Sequence, residues 1–157
     1  MRNSIGDRGE SIFEVLITKY IPELGRLFAP TFLGDKHPLI DFHIDLLGHP
    51  YPAFFHASVK TTRQGYTIKK DRLKVTIPKS DKAALAECIV PVFLFGIDEE
   101  LEKGYLACAN DIRNQLITSH ISTSFPMAEV NLLKLHKEVA AYWENNREKT
   151  KFVSSFK

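Results

Sequence analysis

The chain has few cysteines and no long apolar run. Its two cysteines, Cys88 and Cys108, lie twenty positions apart and form no paired motif. This pattern argues against a disulfide scaffold or a cysteine-type zinc site, and it is typical of a reducing compartment. The longest apolar run, residues 89–95, contains Pro91 and has the length of a strand. A membrane span needs about 20 apolar residues, so none is expected.

A strong excess of one charge is also absent, since the formal net charge is only +2. Residues 1–10 are polar, without the basic start and apolar run of a secretion signal. Neither GxGxxG nor GxxxxGK[ST] occurs, so phosphate-loop chemistry is not expected. The 157 residues, 44% of them hydrophobic, therefore predict one globular, cytoplasmic domain.

The most informative stretch is residues 41–60. Two segments with alternating polar and apolar residues flank the turn Gly48-His49-Pro50-Tyr51-Pro52, which predicts a β-hairpin. The hydrophobic pattern favours a register with three polar pairs: Asp41–Lys60, His43–Ser58 and Asp45–His56. One face of this hairpin is then apolar, and the other carries two carboxylates, two imidazoles, a hydroxyl and an amine.

The remaining segments predict helices and strands around this hairpin. Apolar spacing indicates a helix over 8–20, with Glu10 in its first turn. Residues 25–38 are expected to be mainly loop. Further predicted elements are a short strand at 73–77, a helix from the N-cap Ser80 to about Cys88, strands at 89–97 and 105–109, and a helix at 128–145. This order predicts an α/β or α+β domain over 1–157, with a core at about 5–110 and a helical C-terminal extension at about 111–157.

The polar face of the hairpin suits phosphodiester hydrolysis. This reaction needs an activated water and a partner for the growing negative charge, and Mg²⁺ held by carboxylates supplies both. Asp41 is a candidate metal ligand, and Lys60 is a candidate to orient water and stabilise charge. The carbonyl of Val59 and the carboxylate of Glu10 are further candidate ligands, provided that the first helix packs beside the hairpin.

Three short motifs carry a family resemblance: Gly6-Asp7-Arg8-Gly9-Glu10, Leu39-Ile40-Asp41 and Ala57-Ser58-Val59-Lys60-Thr61. Together with Ile89-Val90-Pro91-Val92-Phe93-Leu94 and Gly104-Tyr105-Leu106, they resemble the PD-(D/E)XK nuclease superfamily over residues 5–110. The closer similarity is to its small bacterial domains of unknown function, which carry Gly-Ile-Asp and then Gln-Val-Lys.

The resemblance implies a three-layer, restriction-endonuclease-like α/β fold with a mixed central sheet. It also implies Mg²⁺ or Mn²⁺ at Asp41 and Glu10, water activation by Lys60, and DNA as substrate, in defence against foreign DNA. Many members pair up to cut two strands, and helix 128–145 is the candidate surface for a homodimer.

The pattern departs from the superfamily at Ser58, where an acidic or amide residue is expected. A hydroxyl is a poor Mg²⁺ ligand compared with a carboxylate. Either Asp45, His56 or water compensates, or the chain is a catalytically inactive module that binds nucleic acid or a protein on the same scaffold.

A basic stretch follows the hairpin. Residues 60–82 contain eight Lys and Arg against two Asp, a local net charge of +6. Such a patch suits phosphate-backbone binding, and Tyr66 within it is a candidate to stack on a base. The predicted nucleic-acid contacts are Arg63, Lys69, Lys70, Arg72 and Lys74. A solvated edge protected by lysines would produce the same pattern.

Simpler roles for the polar residues are compatible with the same pattern. Asp41 and Lys60 also suit a plain cross-strand ion pair, and Glu10 also suits a simple helix charge. His43 and His56, with Asp41 or Asp45, also suit a transition-metal site, although no HExxH spacing supports it.

Overall fold

The computed structural model describes residues 4–111, 119–149 and 152–156. The predicted C-terminal extension is thus described only in part, since 112–118, 150–151 and 157 lie outside the described residues. The described elements are α1 (Ser4–Ile17), β1 (Tyr20–Ile21), β2 (Gly25–Arg26), β3 (Phe28–Phe32), a 3-10 turn (Gly34–Lys36), β4 (Phe42–Leu46), β5 (Phe54–Thr62), β6 (Arg72–Leu73), α2 (Lys79–Ala86), β7 (Val92–Asp98), β8 (Lys103–Cys108), β9 (Ile121–Ser122) and α3 (Glu129–Asn146).

A mixed five-stranded sheet forms the centre of the fold, in the order β3-β4-β5-β7-β8. β3, β4 and β5 are successive antiparallel neighbours, whereas β5 and β7 run parallel. A parallel pair needs a crossover, and α2 lies in the connection between these two strands. The predicted α/β class with a mixed sheet is confirmed.

Helices cover both faces of the sheet. The first core cluster joins α1 and α3 to one face through the residues Phe13, Ile17, Phe42, Phe55, Phe95, Leu132, Leu135 and Val139. The second cluster joins α2 and the β6–β9 pair to the other face through the residues Leu73, Leu85, Val92, Leu94 and Ile121. α3 therefore contributes directly to the main core. A homodimer along this helix stays a prediction.

The hairpin forms with the predicted faces but with a different register. Its apolar face is buried in the first core, including Phe42, Ile44 and Phe55. The observed pairs are His43–His56 and Asp45–Phe54, so the predicted register was wrong by two residues. A shift of two keeps every side chain on its own face, and alternation alone cannot distinguish the two registers.

Several predicted boundaries were wrong. α1 begins at Ser4, so Glu10 lies in its middle, and the predicted loop at 25–38 contains the sheet strand β3. The strand predicted at 73–77 is only Arg72–Leu73, and α2 has Pro78 at its N-cap in place of Ser80. β7, β8 and α3 lie within three residues of their predicted bounds. Within the described residues, no helix has the length and apolar character that crossing a membrane requires.

Gly9 allows α1 to approach the sheet closely. A Cβ added at Gly9 would lie 1.8 Å from Thr61 Oγ1 and 2.6 Å from Thr61 Cβ, so only glycine fits at this crossing. Glycine inside a helix costs about 0.5–1 kcal/mol relative to alanine. This cost is offset by the packing that places Glu10, the next residue, against the end of β5.

We expect Gly9→Ala to lower the free energy of unfolding by about 1–3 kcal/mol, because the new methyl group overlaps Thr61. Urea denaturation measures the change. The double variant Gly9→Ala/Thr61→Ala should lose less stability than the sum of the two single variants. A neutral or stabilising Gly9→Ala would contradict this close packing.

Candidate active site

β5 extends beyond its neighbour β4 and leaves an open edge. β4 pairs with residues 54–57 of β5, whereas 58–62 pair, within the described part of the chain, only with β7. Asp41 continues the ladder at the open edge. Its backbone N–H donates to the carbonyl of Ala57, and its Oδ2 accepts the N–H of Val59 at 2.6 Å.

The backbone of β5 directs the Val59 carbonyl to this edge. His56 donates its N–H to Pro91, and the carbonyl of Thr62 accepts from Glu99, so these alternate residues bond on the β7 side. Successive residues of a strand direct their backbone groups to opposite edges. The carbonyl of Val59 therefore points to the open edge, beside the Asp41 carboxylate.

A cavity of about 260 Å³ lies at the open edge. It brings together Glu10 from α1, Lys60 from β5 and Lys74 from the segment after β6. Its lining comprises Ile5, Gly6, Glu10, Val59, Lys60, Thr61, Thr62, Gln64, Lys74, Val75 and Thr76. Asp41 is outside this lining but is joined to it by its bond to Val59. Residues distant in sequence thus converge on one small polar space.

A second glycine positions the wall that carries Lys74. Gly96 lies opposite Lys60 in the β5–β7 pair. A Cβ at Gly96 would lie 2.9 Å from Ile121 Cδ1 and 3.0 Å from Leu73 Cδ2. The missing side chain lets β6 and β9 pack on the sheet, and Lys74 follows directly after β6.

An ion-pair cluster fixes the start of α1. Glu99, which is buried, accepts from Arg8 Nε at 2.6 Å and from Arg63 Nε at 2.6 Å. Arg8 also donates to Glu102 at 2.8 Å. The Arg63 guanidinium lowers the pKa of the Glu99 carboxyl through its hydrogen bonds, with Arg8 acting in the same direction. The cluster therefore ties the helix that carries Glu10 to the ends of β5 and β7.

The two carboxyl groups of the site are shifted toward protonation. Burial raises the pKa of Glu10 to about 7, and repulsion from Asp41 adds to the shift. Burial also raises the pKa of Asp41, against the opposing effects of the Val59 N–H and of Lys60. A bound cation near both groups would relieve this unfavourable charge.

Asp41 and Lys60 do not form the plain ion pair that would suit the sequence equally well. No contact within 4.0 Å joins the two groups, and the Asp41 carboxylate accepts from the Val59 backbone instead. Lys60 is close enough to lower the pKa of Asp41. Lys60 lines the cavity.

Ser58 is sealed inside the second face of the sheet. It is only 1% exposed, and its Oγ has no hydrogen-bond partner in the described part of the chain. A buried hydroxyl without a partner is unfavourable by about 1–3 kcal/mol. Ser58 lies outside the cavity lining, so it cannot contribute a ligand there without a rearrangement.

His43, His56 and Asp45 form a separate polar chain. His43 Nδ1 lies 3.3 Å from His56 Nε2, and His43 Nε2 lies 3.2 Å from Asp45 Oδ1. Burial, with the neighbouring His43, lowers the pKa of His56. Both ring nitrogens of His43 are thus engaged by neighbours. Across the described ranges, no group of three His, Cys, Asp or Glu residues could hold a metal ion.

The five predicted nucleic-acid residues are distributed over different environments. Lys74 lines the cavity, and Lys69 and Lys70 are exposed at a turn. Arg63 is bonded to Glu99, while Arg72 lies half-buried in β6 opposite Ser122 and lines a larger cavity of about 950 Å³ on another side.

Tyr66, the predicted stacking residue, packs into the protein. Its hydroxyl lies 3.0 Å from that of Tyr105, and its ring is half-buried against the second core. Burial raises the pKa of Tyr66, with the Tyr105 contact adding to the shift. Tyr66 therefore has a structural contact that the sequence did not indicate.

The residues at the open edge fit a hard divalent cation. The Glu10 and Asp41 carboxylates and the Val59 carbonyl are oxygen ligands, which Mg²⁺ prefers. Mg²⁺ typically uses one or two carboxylates and keeps several waters, so a third acidic side chain is not required.

Sequence reasoning missed three contributors to the site. Gln64 and Thr76 line the cavity, and Glu99 holds the helix that presents Glu10. Gly9 was recognised only as part of a motif, although a glycine inside an amphipathic helix is itself a signal of close approach. Gln64 and Thr76 carry no such signal, because their placement depends on how the chain after β5 turns back.

No family model, curated protein or solved structure matches the chain. Assignment of a function therefore depends on the cavity and on the residues that line it.

The raised pKa of Glu10 predicts a pH-dependent loss of stability. The folded protein binds this proton more tightly than the unfolded chain, whose carboxyl has the ordinary pKa of 4.5. The contribution of Glu10 to stability therefore falls as pH rises from 4.5 to about 7 and stays at its lower value above that range. We expect Glu10→Gln to exceed the wild type in stability above this range, and the difference to vanish below it.

Urea denaturation across pH measures this difference. Glu14→Gln, an exposed change on the same helix, is the matched control and should show no such dependence. An equal stability of wild type and Glu10→Gln at alkaline pH would show that Glu10 is not destabilised in the fold.

Proposed function

We propose that this protein is a metal-dependent nuclease of the PD-(D/E)XK type. The single observation that carries the proposal is the convergence at the open edge of β5. There Glu10, Lys60 and Lys74 line one cavity. Asp41 accepts a hydrogen bond from the backbone N–H of Val59, which also lines the cavity. Glu10 and Lys60 are fifty positions apart in sequence, so their meeting is a property of the fold.

The topology supports the same proposal. In the central sheet and its helices, the order along the chain is an N-terminal helix, three antiparallel strands, a helix and a strand parallel to the third, with the short strands β1, β2 and β6 in the connections. Helices on both faces of a mixed sheet suit the restriction-endonuclease-like fold that the motifs imply. Asp41, which directly precedes β4, and Lys60, near the end of β5, then lie at the same end of the sheet.

Each residue has a defined part in the proposed reaction. Glu10, Asp41 and the Val59 carbonyl would hold the metal ion. When bound, Mg²⁺ or Mn²⁺ lowers the pKa of water and neutralises charge on the phosphate. The Lys60 ammonium orients the attacking water and stabilises the negative charge that develops on phosphorus oxygens. Lys74, which lines the same cavity, binds the phosphate and holds it near Lys60.

With Ser58 in place of an acidic or amide residue, Glu10 and Asp41 are the two carboxylates that would hold the metal. Glu10 comes from α1, and burial, with repulsion from Asp41, raises its pKa. A second candidate function, nucleic-acid binding without turnover, is favoured by the sealed position of Ser58. The two functions differ in whether two carboxylates suffice for catalysis.

We expect the wild type to cleave DNA in Mg²⁺ or Mn²⁺ and not in EDTA. Lys60→Ala should reduce the rate by roughly 100-fold or more, the usual effect of removing a group that stabilises developing charge. Glu10→Gln and Asp41→Asn should lower the apparent affinity for the metal as well as the rate. Plasmid and single-stranded DNA assays, with an RNA arm, measure these rates.

The control is Lys19→Ala, a substitution of an exposed residue just after the C-terminal end of α1. This variant should cleave like the wild type. Retained cleavage in Lys60→Ala would refute the role of Lys60. An inactive wild type that still binds nucleic acid would favour the binding module.

Ser58→Ala tests whether the Ser58 hydroxyl takes part in the reaction. Removal of a buried hydroxyl without a partner should raise the free energy of unfolding by about 1 kcal/mol. The cleavage rate should stay unchanged, because Ser58 is outside the cavity. A loss of cleavage in a stably folded Ser58→Ala would show that the hydroxyl takes part in the reaction.

A further inference from the structure

A rigid turn projects from the wall of the active-site cavity. Residues 65–74 form a small hairpin in which Thr67 N–H donates to Arg72 and Lys74 N–H donates to Gly65, both at 2.9 Å. We call this segment the basic hairpin. Its stem ends at Lys74 in the cavity wall. The basic hairpin is therefore continuous with the proposed active site.

Side-chain and backbone contacts fix the tip of the basic hairpin. Thr67 Oγ1 donates to Asp71 Oδ1 at 2.8 Å, and Lys70 N–H donates to the Thr67 carbonyl at 2.8 Å. Lys70 has a positive φ of 56°, which closes the turn. From outside, Thr123 donates its N–H to Asp71 and its hydroxyl to the Lys70 carbonyl. The tip is held in one shape.

This fixed tip presents an isoleucine to solvent. Ile68 has a relative exposure of 102%, so the surrounding protein covers none of it. Lys69 and Lys70 follow it and are also exposed. Single exposed apolar residues are common. Ile68 differs in lying on a rigid turn, beside cations, on the same segment as a cavity residue.

The distance from the tip to the cavity suits one ligand that contacts both. Lys70 and Lys74 are four positions apart, which limits their Cα separation to about 14 Å. A polyanion held at Lys69 and Lys70 therefore also reaches Lys74. Phosphates along a nucleic-acid backbone have the required charge and spacing.

We propose that Ile68 is a wedge that enters the base stack of a nucleic acid bound by Lys69 and Lys70. Apolar side chains flanked by cations unstack base steps in this way, and the bent DNA then wraps more of the protein surface. The bend delivers a phosphate to Lys74 and the cavity. The inference rests on the nucleic-acid substrate of the proposed function and adds how the substrate is bound.

A lipid surface is a weaker match for the same tip. One isoleucine buries too little apolar surface to keep a protein on a bilayer, and stable anchoring needs a larger apolar face or a lipid chain. The continuity of the tip with a cavity that contains a carboxylate also favours a ligand that enters that cavity.

Binding in EDTA tests the wedge without any need for cleavage. The probe is a short DNA duplex labelled with 2-aminopurine, whose fluorescence rises when its base is unstacked. Wild type should bind and raise the fluorescence. Ile68→Ser should bind roughly tenfold more weakly and lose the fluorescence change, whereas Ile68→Met should retain both. Lys69→Ala and Lys70→Ala should each reduce the salt slope by about 1.

Leu24→Ser is the matched control, since Leu24 is 60% exposed in the turn between β1 and β2, far from the basic hairpin in sequence. It should bind like the wild type. Wild-type affinity and fluorescence in Ile68→Ser would overturn the wedge, as would failure of the wild type to bind DNA. Binding of anionic phosphatidylserine vesicles, but not of DNA, in an Ile68-dependent manner would also overturn it.

The outcomes separate the wedge from the nuclease. If wild type cleaves and Ile68→Ser binds equally well, the wedge is wrong and the nuclease stands. If wild type binds in an Ile68-dependent manner but never cleaves with metal, the wedge stands and the nuclease is wrong.

Discussion

The unequal length of two neighbouring strands is the constraint on which the candidate site depends. β5 continues past the end of β4, so residues 58–62 have a strand partner only on one side. Unpaired backbone groups on a buried strand must find other partners. The Asp41 carboxylate supplies one by accepting from Val59. The same geometry turns the Val59 carbonyl toward the edge and leaves room for a polar cavity.

The elements around this edge are held there at a cost in stability. Gly9 weakens α1 as a helix but allows contact with Thr61, and burial of Glu10 beside Asp41 opposes ionisation of both. The Glu99 ion pairs hold the helix in place against this repulsion. Shifted pKa values of this kind are common at sites where charge is needed for binding or catalysis, and a bound cation would relieve the repulsion.

Much of the fold was predictable because it follows from short-range periodicity. Alternation identified the hairpin and its two faces, and a 3.6-residue period identified α1 and α3. Alternation has a period of two, so it could not detect that the register differs by two residues. β3 was missed because the Pro30 within it suggests a loop, whereas in the structure it pairs with Ile44 at the edge of the sheet.

The amino-acid pattern alone narrowed the fold to α/β or α+β and identified the polar face of the hairpin and the candidates Asp41, Lys60 and Glu10. Which of these residues meet depends on the folded chain. Folding brought Glu10 and Lys74 to Lys60 at one cavity, bonded Arg63 to Glu99, packed the half-buried Tyr66 against Tyr105, and buried Ser58. The physical reason is that periodicity assigns a residue to a face, but convergence depends on where each strand ends and how closely its neighbours approach. Gly9 and Gly96 set those distances here, because neither has a side chain that would hold the packed elements apart.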